Sequence, residues 1–181
     1  RVKYNIETKT TLYQIKYSIE QLKPKEQEKF KDILTAEMYK SIEGFEPEET
    51  PERLSVRQLI TLRDFGKSGK IIHYGPFGCG KTYVEVMALG IYAMKYEPPK
   101  AKDSNILLVA KTGISVKSNL CNPLTTLFGD NFRYDTSKKD GISKDAVLVD
   151  HNIKLVGLND SNAESRFRGV NSYLIVGDEL S

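Results

Sequence analysis

The sequence predicts an α/β protein: a three-layer αβα sandwich built on a mainly parallel sheet, with a small helical segment ahead of it. Three observations point there. Residues 70–96 pass from a short apolar, β-favouring stretch (Ile71, Ile72, Tyr74) through a glycine-rich turn into Val84, Met87, Ala88 and Ile91 at helical spacing. Residues 105–111, NILLVAK, are a continuous apolar run of strand length, the pattern of a parallel strand buried on both faces. Residues 172–180, SYLIVGDEL, read as an apolar strand that ends on two adjacent carboxylates. The first strand, its helix and the second strand make a right-handed βαβ unit.

Composition narrows the classes. At 181 residues the chain is long enough for one domain with a substantial core. Its hydrophobic fraction of 39% is ordinary for a soluble protein; no run approaches a membrane span, and no signal peptide is visible, so no membrane partner is expected. A net charge of +3 is by itself no footprint for nucleic acid. Two cysteines, Cys79 and Cys121, form neither a disulfide framework nor a metal spacing, which suits a reducing, cytoplasmic setting. With His73 and His151 the only histidines, zinc is not expected. The chain begins at Arg1 and stops soon after the apolar run ending at Gly177, so a fragment of a longer protein is expected.

Taken in order, residues 1–50 read as a helical segment and linker, and 51–181 as the main domain, incomplete at its C-terminal end. Residues 11–22 and 25–42 are expected as helices, with apolar stripes Leu12, Ile15, Ile19, Leu22 and Phe30, Ile33, Leu34, Tyr39, Ile42. Pro24 can open the second. Such a pair invites a DNA-binding reading, but it carries no base-reading pattern, and packing or docking is favoured. Residues 43–52, with five glutamates and two prolines, read as a solvated linker. Residues 54–65 read as a short helix.

Beyond the 105–111 strand, residues 114–129 are expected to be mostly helical, kinked or restarted at Pro123. Lys111, Thr112 and Lys117 near its start suit a phosphate backbone or a solvated face alike. Residues 132–143 look like an excursion. AVLVD and NIKLVGL, separated by His151, read as a hairpin. Residues 160–169 are expected as a polar helix or loop carrying Arg166 and Arg168.

The chemistry gathers in the glycine turn. Gly75, Gly80, Lys81 and Thr82 fit G-x-x-x-x-G-K-[ST], and the order strand, loop, helix is the context that makes this pattern a phosphate-binding loop. Glycines let successive N–H groups turn inward, and the helix adds its positive dipole end. Residues Gly75, Pro76, Phe77, Gly78, Cys79, Gly80, Lys81, Thr82 and Tyr83 are the expected nucleotide-binding stretch. Lys81 reaches the β- and γ-phosphates of ATP, and Thr82 puts its hydroxyl on Mg²⁺. Gln58, a little upstream, suits the adenine edge, since an amide donates and accepts at once; it equally suits a helix surface.

Asp178 and Glu179 follow an apolar strand, and ligands of open parallel sheets lie at the carboxyl ends of the strands. Asp178 is therefore the expected Walker B aspartate on Mg²⁺, and Glu179 the carboxylate that orients or deprotonates the attacking water. The long separation from Lys81 leaves room for an intervening strand. It fits the P-loop NTPases in which a second carboxylate activates water, the RecA-like branch. Arg166 or Arg168 is a candidate for stabilising transition-state charge on a neighbour's γ-phosphate, or simply a surface residue.

The residues from about 54 to 181 resemble the amino-terminal ATPase half of the large terminase subunit of tailed bacteriophages. The similar points are the phosphate loop, the strand with Lys111 and Thr112, and the closing block GLNDSNAESRFRGVNSYLIVGDEL, with its G-x-N-D, Arg-Gly, apolar strand and Asp-Glu. The resemblance implies an ATP-driven motor in the host cell cytoplasm. Such motors form a homo-oligomeric ring at the portal protein, work with a small terminase subunit, and pump double-stranded DNA into the prohead. It implies Lys81, Glu179 and Arg168 as catalytic, Arg168 acting as a finger in trans, and Thr82 and Asp178 at the metal. This loop departs from the family in offering Pro76, Phe77 and Cys79 where many terminases carry an arginine. That shifts the finger onto Arg166 or Arg168. The family's coupling motif, which follows Walker B, and its carboxy-terminal nuclease are both absent from these 181 residues. A helicase-like translocating ATPase shares the same site residues. A nucleotide kinase would need an arginine-rich lid, which the sequence lacks, and a nucleotide-gated binding module would not depend on Glu179.

Overall fold

The computed structural model describes residues 1–67, 80–101, 104–134, 145–159, 163–168 and 170–178. The protein is α/β, with a five-stranded mixed sheet. Helix α1 (Ile6–Glu20) opens the chain, followed by short helices α2 (Pro24–Gln27) and α3 (Ala36–Ser41), then α4 (Val56–Asp64) and α5 (Lys81–Lys95). Strand β1 (Ser104–Ala110) leads into a turn of helix, α6 (Gly113–Ser115), a π-helical segment (Val116–Cys121) and α7 (Asn122–Phe128). Strands β2 (Phe132–Tyr134), β3 (Asp145–Leu148) and β4 (His151–Gly157), helix α8 (Ala163–Phe167) and strand β5 (Asn171–Asp178) complete it.

The sheet order is β2-β3-β4-β1-β5. β1 lies between β4 and β5 and is parallel to both, with Ala110 opposite Gly157 on one side and Asp178 on the other. All seven β1 residues are buried, as its unbroken apolar run requires. β2 and β3 extend the sheet in antiparallel fashion, so the parallel part of the described sheet is β4-β1-β5. The main core covers one face, where Ile106, Leu108 and Ala110 meet apolar residues of α1, α4, α5 and α7. A smaller cluster of Leu107, Val109 and Val156 lies apart from it, as strand alternation dictates. The expected strand at 71–74, and with it the βαβ unit, falls outside the described residues.

Several elements differ from expectation, each for a visible reason. α1 starts at Ile6, not near residue 11, because its buried face begins with Thr8 and Thr11, which an apolar stripe does not flag. Asn5 caps it, accepting from the Thr8 N–H at 2.9 Å. The buried hydroxyls serve α7. Thr8 donates to the Phe128 carbonyl at 3.2 Å and Thr11 to the Leu127 carbonyl at 2.7 Å, satisfying oxygens that a helix C-terminus leaves unpaired. The Asn5 side chain adds a second donor to the Phe128 carbonyl, at 3.1 Å.

The helix expected over 25–42 is two short ones. Thr35 lies between them and caps α3 by accepting from the Met38 N–H at 3.2 Å; such a residue begins a helix better than it continues one. Pro123 restarts the helix after the π-helical segment, at the first turn of α7. The hairpin turns at Val149 and Asp150, not at His151, with Val149 at φ 57°. Where α5 crosses α7, a Cβ on Gly90 would overlap the Phe128 ring, so only glycine allows this approach.

His151 is fully buried. Its Nε2 lies 2.8 Å from the Tyr96 carbonyl at the end of α5, and its Nδ1 meets the Tyr173 hydroxyl on β5. Burial pushes the Tyr173 hydroxyl up to about 12.

Candidate functional site

α5 begins on Gly80, at φ 76° and ψ 21°, a left-handed conformation that glycine adopts without strain. Among the described residues no side chain caps this end of α5, and no acidic residue lies in its first turn. The start of this 15-residue helix carries the positive end of its dipole, which favours an anion. Lys81 and Thr82, both half-buried, follow at once.

Thr82 joins the far end of the chain. Its hydroxyl donates to Asp178 Oδ1 at 2.8 Å. Asp178 closes β5 at the carboxyl end, level with Ala110 at the end of β1, so the parallel register delivers the carboxylate to the sheet edge where Lys111 and Thr112 leave β1. The other Asp178 oxygen, Oδ2, accepts from Asn119 Nδ2 at 2.9 Å. Asn119 sits in the π-helical segment, and nothing in the sequence singled it out. A one-residue widening of a helix leaves no periodic signature; only the β5 register exposes its role.

Gln58 is the third residue of α4 and closes a capping box. Its Oε1 accepts from the Ser55 N–H at 2.8 Å, and Ser55 Oγ accepts from the Gln58 N–H at 3.3 Å. Its Nε2 lies 3.0 Å from where a Gly80 Cβ would stand, so the amide is held against the start of α5. Tyr83, on the same turn, donates from its hydroxyl to Gln14 Oε1 of α1 at 2.8 Å, and burial raises its hydroxyl above the ordinary tyrosine range. Gln14, Gln58, Gly80 and Tyr83 share a polar groove of about 670 Å³ with residues 51–55. Gln14 also donates to the Glu52 carbonyl at 2.9 Å, fixing the stretch expected as a solvated linker.

Arg168 is exposed and pairs with Glu164 at 2.6 Å, four residues before it. No bond among the described residues joins it to Thr82 or Asp178. Gly75, Pro76, Phe77, Gly78, Cys79 and Glu179 lie outside the described residues, and the Arg166 side chain is not described. Among the described residues no three His, Cys, Asp or Glu side chains cluster to hold a metal ion. One hydroxyl and one carboxylate are nevertheless a fitting donor set for Mg²⁺, which keeps most of its waters and binds through one or two carboxylates plus substrate phosphates. No described helix is long and apolar enough to cross a membrane.

Comparison of the chain with family models, with curated proteins and with solved structures finds no match. The functional reading therefore rests on the residues and their geometry.

Proposed function

We propose that this chain is a P-loop ATPase of the RecA-like branch, binding ATP and Mg²⁺ at the start of α5. More specifically, we read it as the motor domain of a phage terminase large subunit, packaging double-stranded DNA. The observation that carries the first step is the 2.8 Å bond from Thr82 to Asp178, between residues 96 positions apart in sequence. It joins the threonine of a G-K-T motif at the start of a helix to a carboxylate at the end of a parallel strand. The second step rests on the closing sequence block alone.

In this reading the α5 N–H groups and Lys81 bind the phosphates, with Gly75, Pro76, Phe77, Gly78 and Cys79 completing the loop. Thr82 and Asp178 would hold Mg²⁺, which neutralises phosphate charge when bound. Gln58 has an Nε2–H for a purine N7 and a second Oε1 lone pair for a 6-amino group, so it favours adenine over guanine. Tyr83 walls the groove. Glu179, one residue past Asp178, orients the water or takes its proton. Arg168 is exposed and can exchange Glu164 for a neighbour's γ-phosphate in a homo-oligomeric ring. Portal protein and small terminase subunit are the partners this assignment brings, and the host cytoplasm its setting.

The deciding experiment is ATP binding to the wild-type chain and to Lys81→Ala, followed by ATP turnover with and without double-stranded DNA. Binding lost in the variant supports the nucleotide site; equal binding overturns it. Turnover driven by duplex DNA in a ring with portal protein supports the packaging motor. Turnover driven by single strands favours a helicase-like translocase with the same site.

A further inference from the structure

We infer that Asn119 is a positioning residue for Asp178, and that it sets how strongly the divalent cation contributes to nucleotide binding. The inference rests on the nucleotide reading above. Asp178 has two oxygens and each has its own donor, Thr82 Oγ1 on Oδ1 and Asn119 Nδ2 on Oδ2. One bond would let the carboxylate swing about its Cβ–Cγ axis; two on different oxygens hold its plane. With the plane held, the Thr82 proton stays committed to Oδ1, and the threonine lone pairs are left facing away from Asp178, where a cation can use them.

Asn119 is itself held. Ser118 Oγ donates to Asn119 Oδ1 at 2.9 Å, which identifies that end of the amide as the acceptor and turns the NH₂ toward Asp178. Ser118 Oγ also lies 3.4 Å from the Ser115 carbonyl, and Thr112 Oγ1 and Ser115 Oγ are 2.9 Å apart. A run of short-range polar contacts thus joins the end of β1 to the carboxylate. The winding matters as well. The Asn122 N–H bonds back to the Lys117 carbonyl, five residues earlier, which is the π-helical pattern. Val116, Leu120 and Cys121 are buried against the core, while Asn119 is half-buried and reaches β5. An ordinary α-helical turn would shift the phase of position 119 relative to the buried residues preceding it.

The alternative is that Asn119 merely ties the π-helical segment to β5. The two differ in what the cation feels. Partners that orient a metal ligand typically change metal affinity about 10- to 100-fold when removed. The test is ATP binding by calorimetry, in excess Mg²⁺ and in EDTA, for wild type, Asn119→Ala and the near-isosteric Asn119→Leu, with thermal unfolding alongside. The expected result is about a tenfold weaker binding in Mg²⁺ and unchanged binding in EDTA, for whichever variants stay folded. Equal loss in both conditions, or no loss in either, overturns the inference. If Lys81→Ala abolishes binding while Asn119 variants match wild type, the nucleotide reading stands and only this inference falls. If wild type binds no ATP, both fall.

Discussion

Two polar clusters of the protein are built on opposite plans. Where α1 meets α7, Thr8 and Thr11 give their protons to backbone carbonyls, and Asn131 bonds Thr8 and the Lys3 backbone. The partners there are neutral and the bonds are mostly buried. At the end of β5, Thr82 and Asn119 both donate to one carboxylate that stays half-buried. The first cluster completes a helix terminus. The second concentrates donors on one carboxylate beside the start of α5. Satisfied polar groups at the first should govern stability, and those at the second should govern ligand chemistry.

Lys81→Ala separates the two most sharply: ATP binding should vanish in equilibrium titration while the melting temperature stays close to wild type. A parallel collapse of stability would move Lys81 to the structural side. Glu179→Gln should keep ATP binding and lower turnover about 10²- to 10⁴-fold, the usual range for a lost general base; turnover near wild type in an active assembly would remove Glu179 from the reaction. Gly90→Ala should destabilise by about 1–3 kcal/mol, because a methyl group there must displace Phe128. Denaturant unfolding measures it, and an unchanged midpoint would mean that α5 and α7 separate easily. Thr11→Val leaves the Leu127 carbonyl without its side-chain donor and should cost about 1 kcal/mol, read as a melting point lower by about 2–4 °C with ATP affinity unchanged. A changed affinity would show that the α1 cluster reaches the ligand. Last and smallest, Cys121 is buried and its thiol is pushed up to about 12 by burial. It should resist iodoacetamide at pH 8 in the folded protein and react once unfolded, as peptide mass mapping can follow for this cysteine alone.

The sequence carried the parts of this molecule that repeat or cluster. β1 and β5 were legible as apolar runs, α5 from its spacing, and the Thr82–Asp178 meeting from the rule that ligands gather at carboxyl ends of parallel strands. What escaped was polar and long-range. The first turns of α1 are buried through Thr8 and Thr11, whose value lies in carbonyls more than a hundred residues away in the chain. β2 is three residues long and forms because β3 is there to pair with it. Asn119 depends on a π-helical winding with no sequence period, and the Gln14–Tyr83 contact joins two segments that composition had separated. A pattern within one element can be read locally; a hydrogen bond between two elements needs the register of both.

The buried histidine gives the sheet an observable of its own. A carbonyl oxygen can only accept, so His151 must carry a hydrogen on Nε2, facing Tyr96, and whenever the ring is neutral Nδ1 is the acceptor for Tyr173. That arrangement fixes one tautomer, and the two ring nitrogens should give well-separated ¹⁵N resonances. Tyr173 lies on the strand that ends in Asp178. Any movement of β5 on ligand binding that loosens the Tyr173 bond should therefore shift the Nδ1 signal, so a single labelled imidazole would report on the strand from inside the protein.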